Sequence, residues 1–290
     1  MSCTLRIAPK QQQQRSSVSL ALEPRRLPKD SILDPRWFET EAPLVDPEEL
    51  NTWILHEDDN LLVINKPGWL VCHPSKKGPW SSLAGAVREQ WQMDQVHMVA
   101  RLDRETSGLV IFAKHPKAAR RYQMAMSQRR VEKTYFALLA GRMSLELNDR
   151  LTVDIPLVRD RKSLVHVKVK AQKGQQGQRA TTYFMPRAYG ERSTWVEIGL
   201  ETGRKHQIRA HAEWMGHSVI GDKIYGPDAN WFLEFIDSGW TPEMAAALIH
   251  PRQALHCARM HFLFEDGEER DFEAPLTEDL VELLKREGIA

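Results

Sequence analysis

From about Trp53 onward the chain alternates short apolar runs with turn-forming residues. Leu61-Leu62-Val63-Ile64 is an unbroken apolar run ended by Asn65-Lys66-Pro67-Gly68, a strand followed by a turn. Gly108 to Ala113 repeats that pattern, and Thr134–Leu139, Thr181–Phe184, Trp195–Leu200 and Leu255–Phe264 add further strands. Leu164–Val169 places Val165, Val167 and Val169 at every second position, the period of a half-buried strand. Helical spacing predicts helices over Ser81–Trp91, with Leu83, Ala86 and Val87 on one face, and over Thr277–Arg286, with Leu280, Leu283 and Leu284 inward. Lys117–Arg129 has helical composition, and Arg204–Trp214 is a helix candidate entered through Thr202-Gly203. Many strands with few interspersed helices and no regular βαβ alternation predict an α+β fold around a largely antiparallel sheet.

Residues 1–50 differ. Gln11 to Gln14 form a polar run, followed by Arg15, Ser16, Ser17 and prolines at 24, 28, 35, 43 and 47, a composition expected of a flexible N-terminal arm ahead of a body at 51–290. The arm lacks the apolar core of a secretory signal; few acids with some Arg and Ser leave an organelle transit peptide open beside a plain tail. No stretch approaches the roughly 20 apolar residues of a membrane span. Cys3, Cys72 and Cys257 are few and far apart, which argues against a disulfide framework or a thiolate metal site and favours a reducing, cytoplasmic setting. Cys257, inside the apolar run Ala254–His261, reads as a buried thiol.

The net charge of +1 hides an asymmetry. Arg101–Arg209 holds 23 Lys or Arg against 10 Asp or Glu, a balance of +13, so the remainder carries −12. A basic middle suits a polyanion partner; solvated, locally paired surface charge is the plainer alternative.

Three blocks carry candidate chemistry. Arg101-Leu102-Asp103-Arg104-Glu105-Thr106-Ser107-Gly108 sets a carboxylate between two arginines, which would hold it ionised as a nucleophile or base, or else salt-bridged in a turn. Gly203-Arg204-Lys205-His206-Gln207-Ile208-Arg209-Ala210-His211 brings cations to a helix start, a setting for phosphate. His206 and His211 lie about 140° apart around such a helix, which speaks against a metal pair, and Arg209 could simply pair with Glu213 one turn on. In Glu132-Lys133-Thr134-Tyr135, the tyrosine could stack on a base or be core.

In this order, Arg101 to Gly108, Lys133 to Gly141, Gly203 to His211, Gly221-Asp222-Lys223-Ile224-Tyr225-Gly226 and Gln253-Ala254-Leu255-His256 closely resemble the RluA family of RNA pseudouridine synthases. Asn65-Lys66-Pro67-Gly68 looks like that family's opening turn, and the resemblance covers about residues 53–287. It implies the pseudouridine synthase catalytic fold, an α+β body with a central mixed, mostly antiparallel sheet, flanking helices and an RNA cleft across the sheet. It makes Asp103 the catalytic aspartate, Tyr135 the tyrosine that stacks on the target base, and Arg209 the basic partner of the aspartate. Arg101 matches a position that can enter the RNA when the target leaves the stack, and Arg104, Lys133, Arg204, Lys205 and His206 would contact RNA. The family often carries an N-terminal RNA-binding domain; about 50 low-complexity residues before the body lead us to expect a short form without it.

The implied reaction breaks the bond from ribose to uracil N1 and rejoins the base through C5, with no cofactor or metal. The uridine must first be flipped out of the RNA. Asp103 would start it by attacking the sugar or by removing a sugar proton to give a glycal. The expected partner is ribosomal RNA, favoured slightly over transfer RNA, with the protein a monomer. A non-catalytic RNA-binding or assembly factor on the same fold is the alternative from another class. A small-molecule glycosidase would want a second carboxylate across the scissile bond, for which Glu105 is weak support.

Overall fold

In the computed structural model, residues 34–38, 43–73, 77–174 and 176–290 are described. The chain divides into Met1–Ser31 and a compact unit, Ile32–Ala290. The stretch expected as an arm is partly packed: Trp37, Val45 and Leu50 are buried in the main core, and Pro47–Thr52 forms helix α1 behind an Asp46 cap. The rest of the arm, including the Gln run, lies outside the described residues.

The strands are β1 Ile54–Glu57, β2 Leu61–Lys66, β3 His97–Met98, β4 Ser107–Ala113, β5 Val131–Ala140, β6 Leu151–Asp154, β7 Leu157–Arg159, β8 Val169–Ala171, β9 Thr181–Tyr189, β10 Ser193–Leu200, β11 Leu255–Leu263 and β12 Glu269–Glu273. The further helices are α2 Leu83–Gln90, α3 Pro116–Ser127, α4 Gln207–Trp214, α5 Asn230–Ser238, α6 Pro242–Leu248 and α7 Glu278–Arg286. One sheet runs β1-β2-β4-β11-β5-β10-β9-β6, with β3 on β4 and β12 on β11, while β7 and β8 pair apart. Neighbours are antiparallel except β4 and β11, which run parallel through Ser107 and Gly108. This is the mixed, mostly antiparallel sheet expected. Burial on both faces explains the unbroken apolar runs: every residue of β4 is buried. Helix starts follow local chemistry, as at α2, where the Ser82 hydroxyl accepts the Gly85 N–H at 3.2 Å.

Gly108 is required at the parallel junction. Its φ is +107°, and a Cβ there would stand 2.2 Å from the Cys257 carbonyl oxygen. The last residue of the Arg101–Gly108 block thus lets β11 close against β4.

Two expectations are corrected. Residues 164–168 are a turn, with β8 beginning only at Val169: the Lys168 N–H donates to the Val165 carbonyl at 2.9 Å, and Leu164 and Val167 face solvent while Val165 is buried. The valine alternation was real, but the turn closed by Lys168 leaves only Val169 in a ladder, paired with Arg159 of β7. Helix α4 begins at Gln207, not Arg204. The Gln207 amide accepts from the Arg204 N–H (3.0 Å) and the Thr202 hydroxyl (2.8 Å) and donates to the Thr181 carbonyl (2.9 Å). His206 takes a left-handed backbone (φ 55°) that no helix continues through. Arg204, Lys205 and His206 therefore form a loop folded around Gln207, not a helical first turn.

Candidate active site

The middle of the sheet delivers four elements to one pocket of about 160 Å³. The turn before β4 brings Arg101, Leu102 and Asp103, β5 brings Lys133 and Tyr135, β11 brings Leu255, and the loop into α4 brings Arg204, Lys205, His206 and Arg209. Three candidates far apart in sequence, Asp103, Tyr135 and Arg209, thus line one cavity.

Arg209 is the hub. Its Nη1 donates to Asp103 Oδ2 at 2.8 Å, while Nε and Nη2 donate to Asp222 Oδ2 and Oδ1 at 2.6 and 2.8 Å. The surface pair with Glu213 does not form; Glu213 accepts instead from Lys168 Nζ at 2.7 Å. Asp222 was missed as a site residue. It is fully buried, and its Oδ1 also accepts the N–H groups of Ile224 and Tyr225 at 2.9 and 3.0 Å. It lies in the Gly221–Gly226 block, whose turn needs a glycine: Gly221 has φ +79°, and a Cβ there would meet the Arg252 carbonyl at 1.8 Å. That block was the available signal, but only the fold assigns it a partner. With both edges of the fork occupied, the guanidinium is fixed in plane beneath the Asp103 carboxylate.

The Asp103 side chain is about one-third exposed, at 32%, into the pocket. Among the described residues only Oδ2 accepts a hydrogen bond; Oδ1 has no protein partner. Burial pushes the carboxyl up, and the Arg209 guanidinium outweighs it, holding Asp103 below the usual carboxylate range. It is therefore ionised at neutral pH. Burial and Arg209 push the His206 imidazole down to about 4, so it is neutral there.

Tyr135 is 8% exposed and offers its ring to the pocket floor beside Leu102, Ile208 and Leu255. Cys257 is its register partner across β5 and β11, and burial pushes the phenol well above its ordinary value. The phenol therefore stays protonated at neutral pH, and Tyr135 lines the pocket as a neutral side chain.

Of the other expected contacts, Arg101 is exposed, within 3.0 Å of His73 Nε2. Lys205 is exposed at the rim, and Arg204 Nε donates to the Arg179 carbonyl at 3.3 Å. The Lys133 ammonium has no hydrogen bond or ion pair among the described residues, and burial pushes it below its ordinary value. Arg104 does not reach the pocket; its Nε donates to the Trp69 carbonyl at 3.1 Å, which fastens the turn from behind. His206 is largely buried under the pocket, its Nε2 lying 3.7 Å from Asp103 Oδ2. His211 is inside the body, bonded to Thr182 and the Ile155 carbonyl.

Buried cations clamp the turn holding Asp103. Lys66 Nζ donates to the Arg104 carbonyl at 2.9 Å, and Lys223 Nζ to Glu105 Oε1 at 2.7 Å. Arg252, fully buried, donates to the Glu105 carbonyl (3.0 Å), to Ser107 Oγ (3.2 Å) and to Asp279 Oδ2 (2.7 Å). The Trp-rich segment 226–253 supplies part of this backing: Lys223 Nζ sits 4.6 Å from the Phe235 ring of α5 and 5.5 Å from Trp240. Glu105, bound to Lys223, is thus no second carboxylate across the pocket.

The family model described as RNA pseudouridylate synthase matches residues 60–214. The chain belongs to that family. An uncharacterized RNA pseudouridine synthase of Bacillus subtilis, YjbO, is 34% identical over 86% of this chain and 80% of its own length. Ribosomal large subunit pseudouridine synthase D of Vibrio vulnificus is 33% identical over 80% of this chain and 69% of its own. Among solved structures, human RNA pseudouridylate synthase domain containing 4 superposes with a TM-score of 0.63 at 25% identity, covering 83% of this chain and 94% of that one. As a member of the family the protein is an RNA pseudouridine synthase, an isomerase, on the fold expected for one. No helix among the described residues is long and apolar enough to cross a membrane.

Proposed function

We propose that the protein isomerises uridine in large-subunit ribosomal RNA, with Asp103 as the catalytic carboxylate, Tyr135 as the stacking platform and Arg209 as the positioning cation. It works as a monomer in the cytoplasm and needs neither metal nor cofactor. The observation that carries this reading is the 2.8 Å bond from Arg209 to one oxygen of Asp103, with the other oxygen free in a pocket floored by an aromatic ring. A flipped uracil lies on the Tyr135 ring, and the free Oδ1 reaches the ribose. Either it attacks the anomeric carbon as the bond to N1 breaks, or it takes a ribose proton to leave a glycal. Both routes consume the negative charge of Asp103, and neither needs a second carboxylate. The name of the Vibrio relative is what favours large-subunit ribosomal RNA.

The RNA strand has a route beside the pocket. A groove of about 600 Å³ shares Lys133, Leu200 and Gly203 with it and carries Arg129, Arg150 and Tyr183, the Arg150 guanidinium lying 3.6 Å from the Tyr183 ring centre. Phosphates of the flanking nucleotides meet Lys133 and these arginines, which offsets the cost of flipping the base.

The test is a transcriptome-wide pseudouridine map of cells with and without the gene, rescued by wild type or by Asp103→Asn. One or a few ribosomal sites lost, and restored by wild type alone, support the reading. Loss at transfer RNA sites would reassign the substrate, and full rescue by the variant would remove Asp103 from the chemistry.

A further inference from the structure

His206 stands between a hydrogen-bonded buried tyrosine and the candidate carboxylate. The Val169 N–H donates to the Tyr225 hydroxyl oxygen at 3.0 Å, and the same oxygen lies 3.0 Å from His206 Nδ1. His206 Nε2 lies 3.7 Å from Asp103 Oδ2. Tyr225 is fully buried, so its one hydroxyl hydrogen needs an acceptor inside the protein. A backbone N–H can only donate, so Val169 occupies an oxygen lone pair and leaves that hydrogen to be placed. Among the described residues its acceptor is His206 Nδ1. Nδ1 is then unprotonated, and the imidazole hydrogen sits on Nε2, facing Asp103. The opposite tautomer would leave the phenol hydrogen unpaired and aim a nitrogen lone pair at a carboxylate, so both neighbours of the ring select the same form.

The backbone agrees. His206 holds a left-handed conformation (φ 55°, ψ 20°) unusual for a side chain of this size, and its ring stands edge-on to Tyr225 with centroids 5.6 Å apart. The charges that act on the ring are Arg209, Asp103, Lys205 and Asp222, with burial the largest influence.

We propose that His206 is a positioning residue for Asp103: held by Tyr225 as the neutral Nε2–H tautomer, it turns a second N–H toward Oδ2 and leaves Oδ1 as the oxygen that reacts. This rests on Asp103 being the reacting carboxylate. Its logic is electrostatic. Asp103 loses its charge as it reacts, so each full positive charge beside it stabilises the starting state more than the transition state. Arg209 shares its charge with Asp222, and a neutral imidazole orients the carboxylate while adding none.

Two measurements on the full chain test it. Long-range proton–nitrogen NMR of histidine-labelled protein, with the His206 signals identified by their loss in His206→Asn, should find hydrogen on Nε2 and none on Nδ1; Tyr225→Phe should abolish that preference. A hydrogen on Nδ1 overturns the proposal. Single-turnover rates on RNA from cells lacking the gene form the second measurement. Asparagine tolerates the left-handed backbone but its amide reaches only the Nδ1 position, so His206→Asn should lower the saturating rate by about tenfold or more and leave half-saturation within about twofold. His206→Gln, whose amide nitrogen reaches the Nε2 position, should recover to within about threefold of wild type. An unchanged rate with weakened RNA binding would make His206 an RNA contact and overturn the proposal. Wild type inactive on all such RNA would sink the proposed reaction instead, and the NMR result would still decide the tautomer.

Discussion

Two clefts of this molecule use the same residue types to opposite ends. In the pocket of Asp103, Arg209 bridges two carboxylates and lies 4.9 Å from the Tyr225 ring centre. Across the body, between α3 and the β11–β12 hairpin, Arg121 bridges Asp266 and Glu268 and lies 4.1 Å from the Phe264 ring centre. The second cleft is the larger, about 450 Å³ against about 160 Å³. Burial separates them. Side-chain exposure is 6% for Arg209 and zero for Asp222, against 40% for Arg121 and 63% for Asp266. In water the Arg121 cluster is screened and free to rearrange; inside the protein the Arg209 cluster has one geometry and leaves one carboxylate oxygen unspent. Cavity size does not mark the site; a fixed, desolvated charge does.

The comparison can be broken by changing charges in either cleft. The largest effect is expected for Asp103→Asn: release of the uracil C5 proton from labelled RNA should fall by at least about a thousandfold with the fold and RNA binding kept. Residual turnover near wild type would remove the carboxylate from the mechanism. Next is Asp222→Ala, which strands the buried Arg209 and frees the Ile224 and Tyr225 N–H groups. Urea unfolding should show a loss of about 3–5 kcal/mol, and a loss under about 1 kcal/mol would mean that water reaches this pair as it reaches Arg121.

Acid should act on the buried side. Burial pushes His206 and His256 down to about 4 from an ordinary 6.5, so the folded protein refuses protons that the unfolded chain accepts. Stability is then full above about pH 6.5 and declines as pH falls toward about 4, by about 3 kcal/mol for a fully buried imidazole such as His256. Equal urea midpoints at about pH 7 and about pH 4.5 would contradict this. Arg209→Lys keeps the charge but not the fork that serves Asp103 and Asp222 at once, and the single-turnover rate should drop about a hundredfold. The smallest effect is expected in the exposed cleft: Arg121→Ala should cost under about 1 kcal/mol and leave activity unchanged.

Much of this was legible in the sequence where local chemistry suffices. Apolar runs marked the inner strands, helical spacing marked the helices over 81–91 and 277–286, and the Arg101–Gly108 block announced itself through its own residues. Local reading failed where a local partner was available and refused. Arg209 and Glu213 have ideal helical spacing, yet each takes a partner elsewhere: the fully buried Asp222 needs the cation, and Lys168 reaches Glu213. The valines at 165, 167 and 169 have strand spacing, but only Val169 is in a strand, β8, and the stretch before it turns. Arg104, grouped with the RNA contacts for its charge, is used to hold the turn.

The sequence by itself determined the inner strands of the sheet, the helices at α2, α3, α4 and α7, the chemical character of each motif, and membership of the pseudouridine synthase family. Tertiary structure alone decided which oxygen of Asp103 is held and which is free, which tautomer His206 takes, and that Asp222 completes the site. The reason is distance along the chain. Arg209 is 106 residues from Asp103 and 13 from Asp222, and the energy of those bonds depends on how far the fold excludes water, a property that no local stretch of sequence carries.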